Sequence, residues 1–600
     1  MATSEDKQTA IVVGAGVGGV ATAARLAKAG FSVTVLEKNS FTGGRCSLIN
    51  YKGYRFDQGP SLLLLPKLFE ETFHDLDTSL SAEGVSLLKC EPNYNLWFGD
   101  GESFQLSSDM AVMKREIEKW EGKAGFERYL SWLAEAHRHY EISVREVLHR
   151  NFTSIFNLAR WNFLKHLLEL HPFESIYSRA AKYFWTERLR RVFTFGSMYM
   201  GMSPFDAPGT YSLLQYTELA EGIWYPVGGF HAVVAALVRV CERLGVDIRL
   251  DTPVESILTT PDGRTATGVR LLSGEELTAD LVVVNADLVY AYNNLFPSSP
   301  STSYAQSLQK RSGSCSSISF YWALSQKIPE LNAHNIFLAD EYRESFDSIF
   351  DRQSIPHEPS FYVNVPSRID PTAAPDGKDS LVVLVPVGHL LNSSTSKNPH
   401  GDPSASSGAG LKAEQDWPSI VDSARKTIIQ TIESRTNCAP LAPLIVHESL
   451  NTPTSWEETF NLDKGSILGL SHSFFNVLAF RPKTKHPSIN GVYFVGASTH
   501  PGTGVPIVLA GAKITTEQIL KDLGRGNPWT GKEVVRDQGV RQGKGTRDID
   551  RVRKGGAILS DLGIGILALV VLVGTLAYVN SGLVIAWEPK RKRGWGSGRL

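Results

Sequence analysis

Six hundred residues exceed what a single hydrophobic core serves, so two or more domains are expected. Lys plus Arg number 61 against 62 Asp plus Glu, so no global charge bias points to nucleic acid or another polyanion as a partner. The five cysteines, Cys46, Cys90, Cys241, Cys315 and Cys438, are scattered, with no CxxC pair and no histidine at ligand spacing, so no disulfide framework and no metal site is expected. The polar start, MATSEDKQTA, has no apolar signal core, which places the main body in the cytosol.

Ala10 to Val13 predicts a short buried strand, followed by GAGVGG and the alanine-rich VATAARLAKAG. In a strand, turn, helix order the glycines have separate tasks. Gly14 makes the tight turn, Gly16 lets backbone approach a pyrophosphate, and Gly19 lets the helix pack close. The helix N-terminus then presents unpaired N–H groups and a positive dipole end to phosphate. FSVTVL predicts the next strand, with Glu37 at its tip 18 residues after Gly19, where a carboxylate accepts ribose hydroxyls and repels a 2'-phosphate. In the following KNSFTGGRCSLI, Gly43 and Gly44 expose backbone again and Arg45 offers a fixed cation to a pyrophosphate. Glu37 suits NAD as well as FAD. The glycine pair and arginine just after the ribose acid resemble the two-dinucleotide-binding-domain flavoproteins, a group of amine oxidases, carotenoid desaturases and GDP-dissociation inhibitors, and that resemblance implies FAD. NAD is then the alternative cofactor, or an electron acceptor.

GYRFDQGPSLLLLP, residues 53 to 66, places Asp57, Gly59 and Pro60 in a turn. In that flavoprotein group the corresponding segment passes near the flavin, which makes Asp57 and Gly59 cofactor candidates; the alternative is an ordinary connecting loop. Residues 110 to 200 read as mainly helical, with Phe156, Trp161, Phe163, Phe173, Tyr177, Tyr183, Phe184 and Trp185 beside Arg160, Lys165, Arg179 and Lys182. Such a mixture suits a membrane surface. A helical cap on a larger domain is favoured, because the apolar and basic residues do not separate by face.

From Gly222 the chain reads GIWYPVGGFHAVVAALVRVCERLGVDIRL: a glycine turn, a helix stopped at Gly245, and a strand. Three strand-like runs follow, with turns at Asp262-Gly263 and Ser273-Gly274, and then an apolar strand, Leu281 to Val284. In the related flavoproteins the backbone near Val254 flanks the adenine. Residues 300 to 465, with runs such as SISFYWAL and SLVVLVPV, predict an antiparallel sheet. The polar tract at 392–411 reads as a disordered insertion.

The fold class expected is therefore α/β. A Rossmann-like FAD-binding domain in three pieces (8–80, 222–295 and 485–525) interleaves with an α+β substrate domain in two (85–220 and 300–465). A Gly-rich, charged linker over 526–556 follows, in which eight Lys or Arg between Lys532 and Lys554 face four Asp or Glu. Leu562 to Val579 then gives 18 residues without a formal charge, about 27 Å as a helix. Trp587 and the KRKR at 590–593 extend it toward an interface. A buried core helix is the alternative, but at the end of a linker it has no core to join. A C-terminal hydrophobic helix over 562–587 that spans or lies in a bilayer is expected, with basic residues on both sides leaving its orientation open.

NGVYFVGASTHPGTGVPIVLAGAK predicts a strand, Val492 to Val495, a glycine loop and a helix from about Ile507. This stretch closely resembles the C-terminal motif of bacterial and fungal phytoene desaturases, and the resemblance runs from GAGVGG through GGR, RFDQGP and WYPVGG over roughly residues 10–525. The 392–411 insertion and the tail are more like the fungal members. The resemblance implies that Gly496, Gly504, Val505 and Pro506 close over the flavin. It also implies that phytoene and its partly desaturated products are the substrates, taken from a lipid bilayer toward lycopene by hydride transfer to a flavin in a water-poor tunnel. His500 is the one titratable side chain in that loop and is the acid–base candidate, with a purely loop-bonding role as the alternative. Two rival functions share the motifs: a carotenoid ketolase or hydroxycarotenoid dehydrogenase, and a non-catalytic prenyl carrier of the GDP-dissociation-inhibitor kind.

Overall fold

Strand β1 (Thr9–Val13), helix α1 (Val17–Lys28) and strand β2 (Ser32–Leu36) open the chain, as the glycine spacing predicts. The computed structural model describes residues 7–159, 163, 166, 167, 169–296, 298–391 and 415–529. These belong almost wholly to one compact unit, residues 1–158 and 169–534. Of a second unit, 159–168 with 535–600, only Ala159, Phe163, His166 and Leu167 are described. The insertion at 392–411, the linker beyond Trp529, the hydrophobic segment 562–587, and Arg160, Trp161 and Lys165 all lie outside the described residues. Among the described residues no helix is long and apolar enough to cross a membrane.

Three distant segments complete the first sheet. Helix α2 (His231–Arg243) leads into β3 (Asp247–Arg249); β4 (Leu281–Val284) and β5 (Val492–Phe494) follow, and α3 (Val505–Asp522) ends the described chain. The five strands lie in the order β5-β4-β1-β2-β3 and every pairing is parallel. Both faces of a parallel sheet need cover, and its strands accordingly read as continuous Val, Ile and Leu. On one side α1 packs with α2 and α3 through Val20, Leu26, Leu237, Leu509 and Ile519. On the other, Ile11, Val282 and Phe494 meet Ile257 and Val269 of a three-stranded antiparallel sheet, Val254–Thr259, Ala266–Leu271 and Glu276–Thr278. The turns of that sheet fall at the predicted Asp262-Gly263 and Ser273-Gly274 positions.

The second large sheet has seven strands, ordered Ile445–Asn451, Ser316–Leu324, Ser380–Val387, Phe361–Asn364, His334–Phe337, Tyr94–Trp97 and Ser103–Leu106. All pairings are antiparallel except His334–Phe337 with Tyr94–Trp97. Residues 87–106 supply three short strands, and the long helix runs from Met110 to Ser143, within the stretch read as helical. Ser316–Leu324 and Ser380–Val387 are buried on both faces. The helix Trp417–Thr436 covers one face through Ala424, Ile428 and Ile432, and Tyr54 and Phe56 cover the other. The aromatic segment divides as well: Phe184 is buried, whereas Phe156, Phe173 and Trp185 are exposed. All five cysteines are unpaired.

One buried ion pair ties the first domain together. Arg25 of α1, 1% exposed, meets Asp75 at 3.1 Å at the end of the helix Pro66–Asp75, and Lys513 of α3 reaches the same carboxylate at 3.1 Å and Glu71 at 2.6 Å. Removing one partner strands a buried charge, whereas the pair itself adds little. Asp75→Ala is therefore expected to destabilise the protein by roughly 3–5 kcal/mol, read as a lowered urea midpoint, while Lys513→Ala, which leaves Arg25 paired, costs far less.

Candidate active site

The C-terminal edge of the parallel sheet carries the glycine loops, and Asn285, just beyond β4, is the piece on which they assemble. Its Nδ2 donates to the Gly14 carbonyl at 3.2 Å. A Cβ built on Gly16, Gly18 or Gly19 would fall within 3.0 Å of the Asn285 side chain, and one on Gly496 within 3.4 Å. At Gly19 the added carbon would also stand 2.0 Å from the Gly14 carbonyl oxygen, a backbone contact that cannot yield. Gly18 meets Val508 in the same way, at 2.7 Å, so the first turns of α1 and α3 lie side by side.

Both of these helices begin on a glycine, Gly16 and Gly504, with no side-chain cap and no acid in the first turn. Their terminal N–H groups and dipole ends are left for an anion. At the start of α3, Val505 keeps its N–H, while Pro506 has none and sits where none is needed. The helix starts two residues before the predicted Ile507.

The second glycine pair is sewn to the first. Gly43 donates its N–H to the Ala15 carbonyl at 2.8 Å, and a Cβ on Gly44 would lie 3.5 Å from Gly16 Cα. Glu37, 6% exposed, accepts from the Ala15 N–H at 2.8 Å through Oε2, and from Asn39 N and Nδ2, both at 2.9 Å, through Oε1. Each carboxylate oxygen retains acceptor capacity for a ribose hydroxyl. The Glu37 carbonyl accepts from Thr252 N–H at 2.7 Å, which holds Val254 close to the acid.

Burial lowers the Arg45 guanidinium and raises the Asp287 carboxyl and the Tyr199 and Tyr211 hydroxyls, and all four side chains are only partly covered. Cys46 and Asp287 oppose the shift at Arg45. Asp287 also borders a polar cleft of about 130 Å³ with His389, Arg311 and Asp463, whose carboxyl is pushed up to about 7 by burial and by Asp287. Two adjoining uncapped helix ends, glycines that leave no room for side chains, and an enclosed arginine fit a dinucleotide pyrophosphate with the rest of the cofactor reaching inward.

Asp57 and Gly59 act through the loop they hold. Asp57 is buried with both oxygens engaged: Oδ2 accepts from the Tyr225 hydroxyl at 2.6 Å and Oδ1 from the Phe230 N–H at 2.7 Å. It thus joins RFDQGP to WYPVGGF. A Cβ on Gly59 would sit 2.5 Å from the Arg45 carbonyl oxygen, so this turn presses directly on the arginine segment.

His500 is 1% exposed, with its ring edge-on to Phe152 at 5.2 Å. Its Nε2 donates to the Arg150 carbonyl at 2.7 Å, its Nδ1 has no protein partner, and burial depresses it to about 4, so it is neutral at pH 7. One nitrogen therefore serves the loop-bonding role.

Sequence reasoning missed Arg481. It is fully buried with no carboxylate partner among the described residues, and its guanidinium donates to the carbonyls of Leu470, Ser471, Asn476, Ala497 and Thr499, the Asn476 bond being 2.7 Å. It fastens the loop before His500 to residues 470–476. Backbone acceptors leave no trace in a sequence, so nothing there pointed to it. Asn285 and Asp287 did have a signal: polar residues just past an apolar strand stand where open α/β sheets bind ligands.

Residues 17–397 match the family described as flavin containing amine oxidoreductase. The chain is 62% identical over 577 residues to the phytoene desaturase of Cercospora nicotianae, covering 89% of this chain and 92% of that one. It is 66% identical over 529 residues to the phytoene desaturase of Fusarium fujikuroi, covering 88% and 92%. An oxidoreductase structure from Methanosarcina mazei shares the fold, with a TM-score of 0.56 at 17% identity over 85% of this chain and 100% of that one. With relatives so similar along nearly their whole length, and with a site shaped for a dinucleotide, the chain belongs to the phytoene desaturases of the flavin containing amine oxidoreductase family.

Proposed function

We propose that this protein binds FAD along the Gly14–Gly19 and Gly43–Arg45 loops and desaturates phytoene repeatedly, toward lycopene or a more desaturated product. The observation that carries the reading is the pair of uncapped helix N-termini, at Gly16 and Gly504, brought together on the glycine-lined sheet edge. A bound oxidised flavin supplies the two-electron acceptor that a hydrocarbon without activating groups requires. The residues of the chain bind, orient and keep water out. Gly14, Gly16 and Gly19 allow the backbone to approach the pyrophosphate, the N-termini of α1 and α3 and Arg45 balance its charge, and Glu37 receives the ribose hydroxyls. Arg481 holds the loop Gly496–Gly504 in register. Met198, Met200, Leu62 and Leu64, partly buried around the aromatic core, supply an apolar wall for a polyene.

Such a substrate resides in lipid. The uncharged 562–579 run, with Trp587 and the basic KRKR that follow, supports a membrane anchor at the C-terminal end, and the exposed Phe156, Phe173 and Trp185 support contact of the main body with the same surface.

FAD-loaded protein incubated without oxygen with phytoene in liposomes should lose flavin absorbance as polyene absorbance rises. Unchanged phytoene would sink the desaturase reading, and protein that takes up no flavin would revive the carrier reading. Arg45→Met should weaken FAD binding by roughly 10- to 100-fold, the worth of one hydrogen bond to a charged group, measured by fluorescence titration of apoprotein. A chain ended after Trp529 should sediment with liposomes far less than the full chain while binding FAD equally well; equal sedimentation would argue against the anchor.

A further inference from the structure

The start of α3 is fixed by a contact with no part in the assignments above. Residues 500–503 are buried, Gly504 is exposed and residues 505–507 are half-buried, so the chain leaves the interior where the helix begins. The last buried amide before that point, the Thr503 N–H, donates to Nε2 of His472 at 3.1 Å. His472 is itself 3% exposed, and it lies on the segment 470–476 that Arg481 fastens.

Three ties join that segment to the glycine loop. The Leu470 N–H donates to Ser498 Oγ at 3.1 Å, Arg481 bridges the carbonyls of Leu470 and Ser471 to those of Ala497 and Thr499, and His472 takes Thr503. The first two hold the middle of the loop. The third reaches the residue next to Gly504. His472 is held at both its ends: the Tyr211 hydroxyl donates to its carbonyl at 3.1 Å, and its ring occupies the place of a side chain on Gly502, whose Cβ would stand 2.6 Å from Nε2.

An amide that donates to Nε2 requires that nitrogen to be bare, which puts the ring proton on Nδ1. Nδ1 is buried with no partner among the described residues. Burial, with the Arg481 charge adding to it, holds the imidazole well below its ordinary range, so the bare nitrogen persists at neutral pH.

We propose that His472 is a positioning residue for the cofactor: its bare Nε2 fixes the Thr503 amide, and with it the direction in which the first turn of α3 presents its N–H groups to the bound dinucleotide. The proposal rests on the reading that places FAD along the two helix ends. The first-turn N–H groups of Val505 and Ile507 have no partner within the helix. An anion binds such groups best when their direction is set beforehand. Without an acceptor at Nε2 the Thr503 N–H is a buried donor left unmatched, and the turn must shift to relieve it.

The test titrates full-length apoprotein with FAD by fluorescence, records the visible circular dichroism of the bound flavin, and follows hydrogen exchange at the Thr503 amide. In wild-type apoprotein that amide should already be protected, since the bond precedes the cofactor. His472→Leu, close in volume and without an acceptor, should weaken FAD binding by roughly 5- to 100-fold, the cost of one unmatched buried donor. It should also speed Thr503 exchange and change the flavin dichroism at saturation. His472→Gln, whose Oε1 can accept the same N–H, should bind FAD within about threefold of wild type and restore both signals. An unprotected Thr503 amide in the wild-type apoprotein overturns the proposal even where His472→Leu does not fold. So does His472→Leu with wild-type affinity and dichroism, or His472→Gln with FAD binding as weak as that of His472→Leu. Arg45→Met with undiminished FAD affinity instead overturns the placement of the cofactor.

Discussion

The site depends on backbone brought closer to backbone than side chains permit. Where β1 turns into α1, the Gly14 carbonyl stands 2.0 Å from the point a Cβ on Gly19 would occupy, and Asn285 fills the remaining space from the neighbouring strand. That contact places the start of α1 at the sheet edge and lets α3 come alongside through Gly18 and Val508. Two positive helix ends are then side by side, neither with a side-chain cap or an acid in its first turn. Binding an anion there costs little reorganisation, because the fold has already spent its conformational entropy on the geometry.

The remaining motifs are clamps on that edge. Asp57 joins its own loop to the start of α2, Gly59 presses on Arg45, and Arg481 fixes the loop before α3. Segments separated by hundreds of residues are thereby held against one another, largely through backbone groups. Such a frame can keep a cofactor fixed while the substrate wall varies.

The elements of the parallel sheet were legible because their signals are local. The glycine spacing after Val13, the acid at Glu37 and the apolar run Leu281–Val284 each specify a strand or turn without reference to the rest of the chain. The seven-stranded sheet was only partly legible. SISFYWAL and SLVVLVPV were recognisable as strands, but the addition of Tyr94–Trp97 and Ser103–Leu106 is a long-range pairing with no local mark. Of the site, residues that stand out by being small, charged at a strand tip or titratable within a glycine loop could be named from the sequence: Gly14, Gly19, Glu37, Arg45 and His500. Arg481, which is defined by five backbone carbonyls, could not.

The way these buried groups hold charge follows from the nature of a hydrocarbon substrate. A polyene cannot solvate ions, so any formal charge facing it is left in a medium of low dielectric. Burial works against charge at several of these groups: it depresses His500 to about 4 and His334 to about 3, lowers His472 further, and raises the carboxyls of Asp57 and Asp287. Buried charges that remain are held by partners: Arg25 is paired with Asp75, and Arg481 spreads its charge over five carbonyl dipoles.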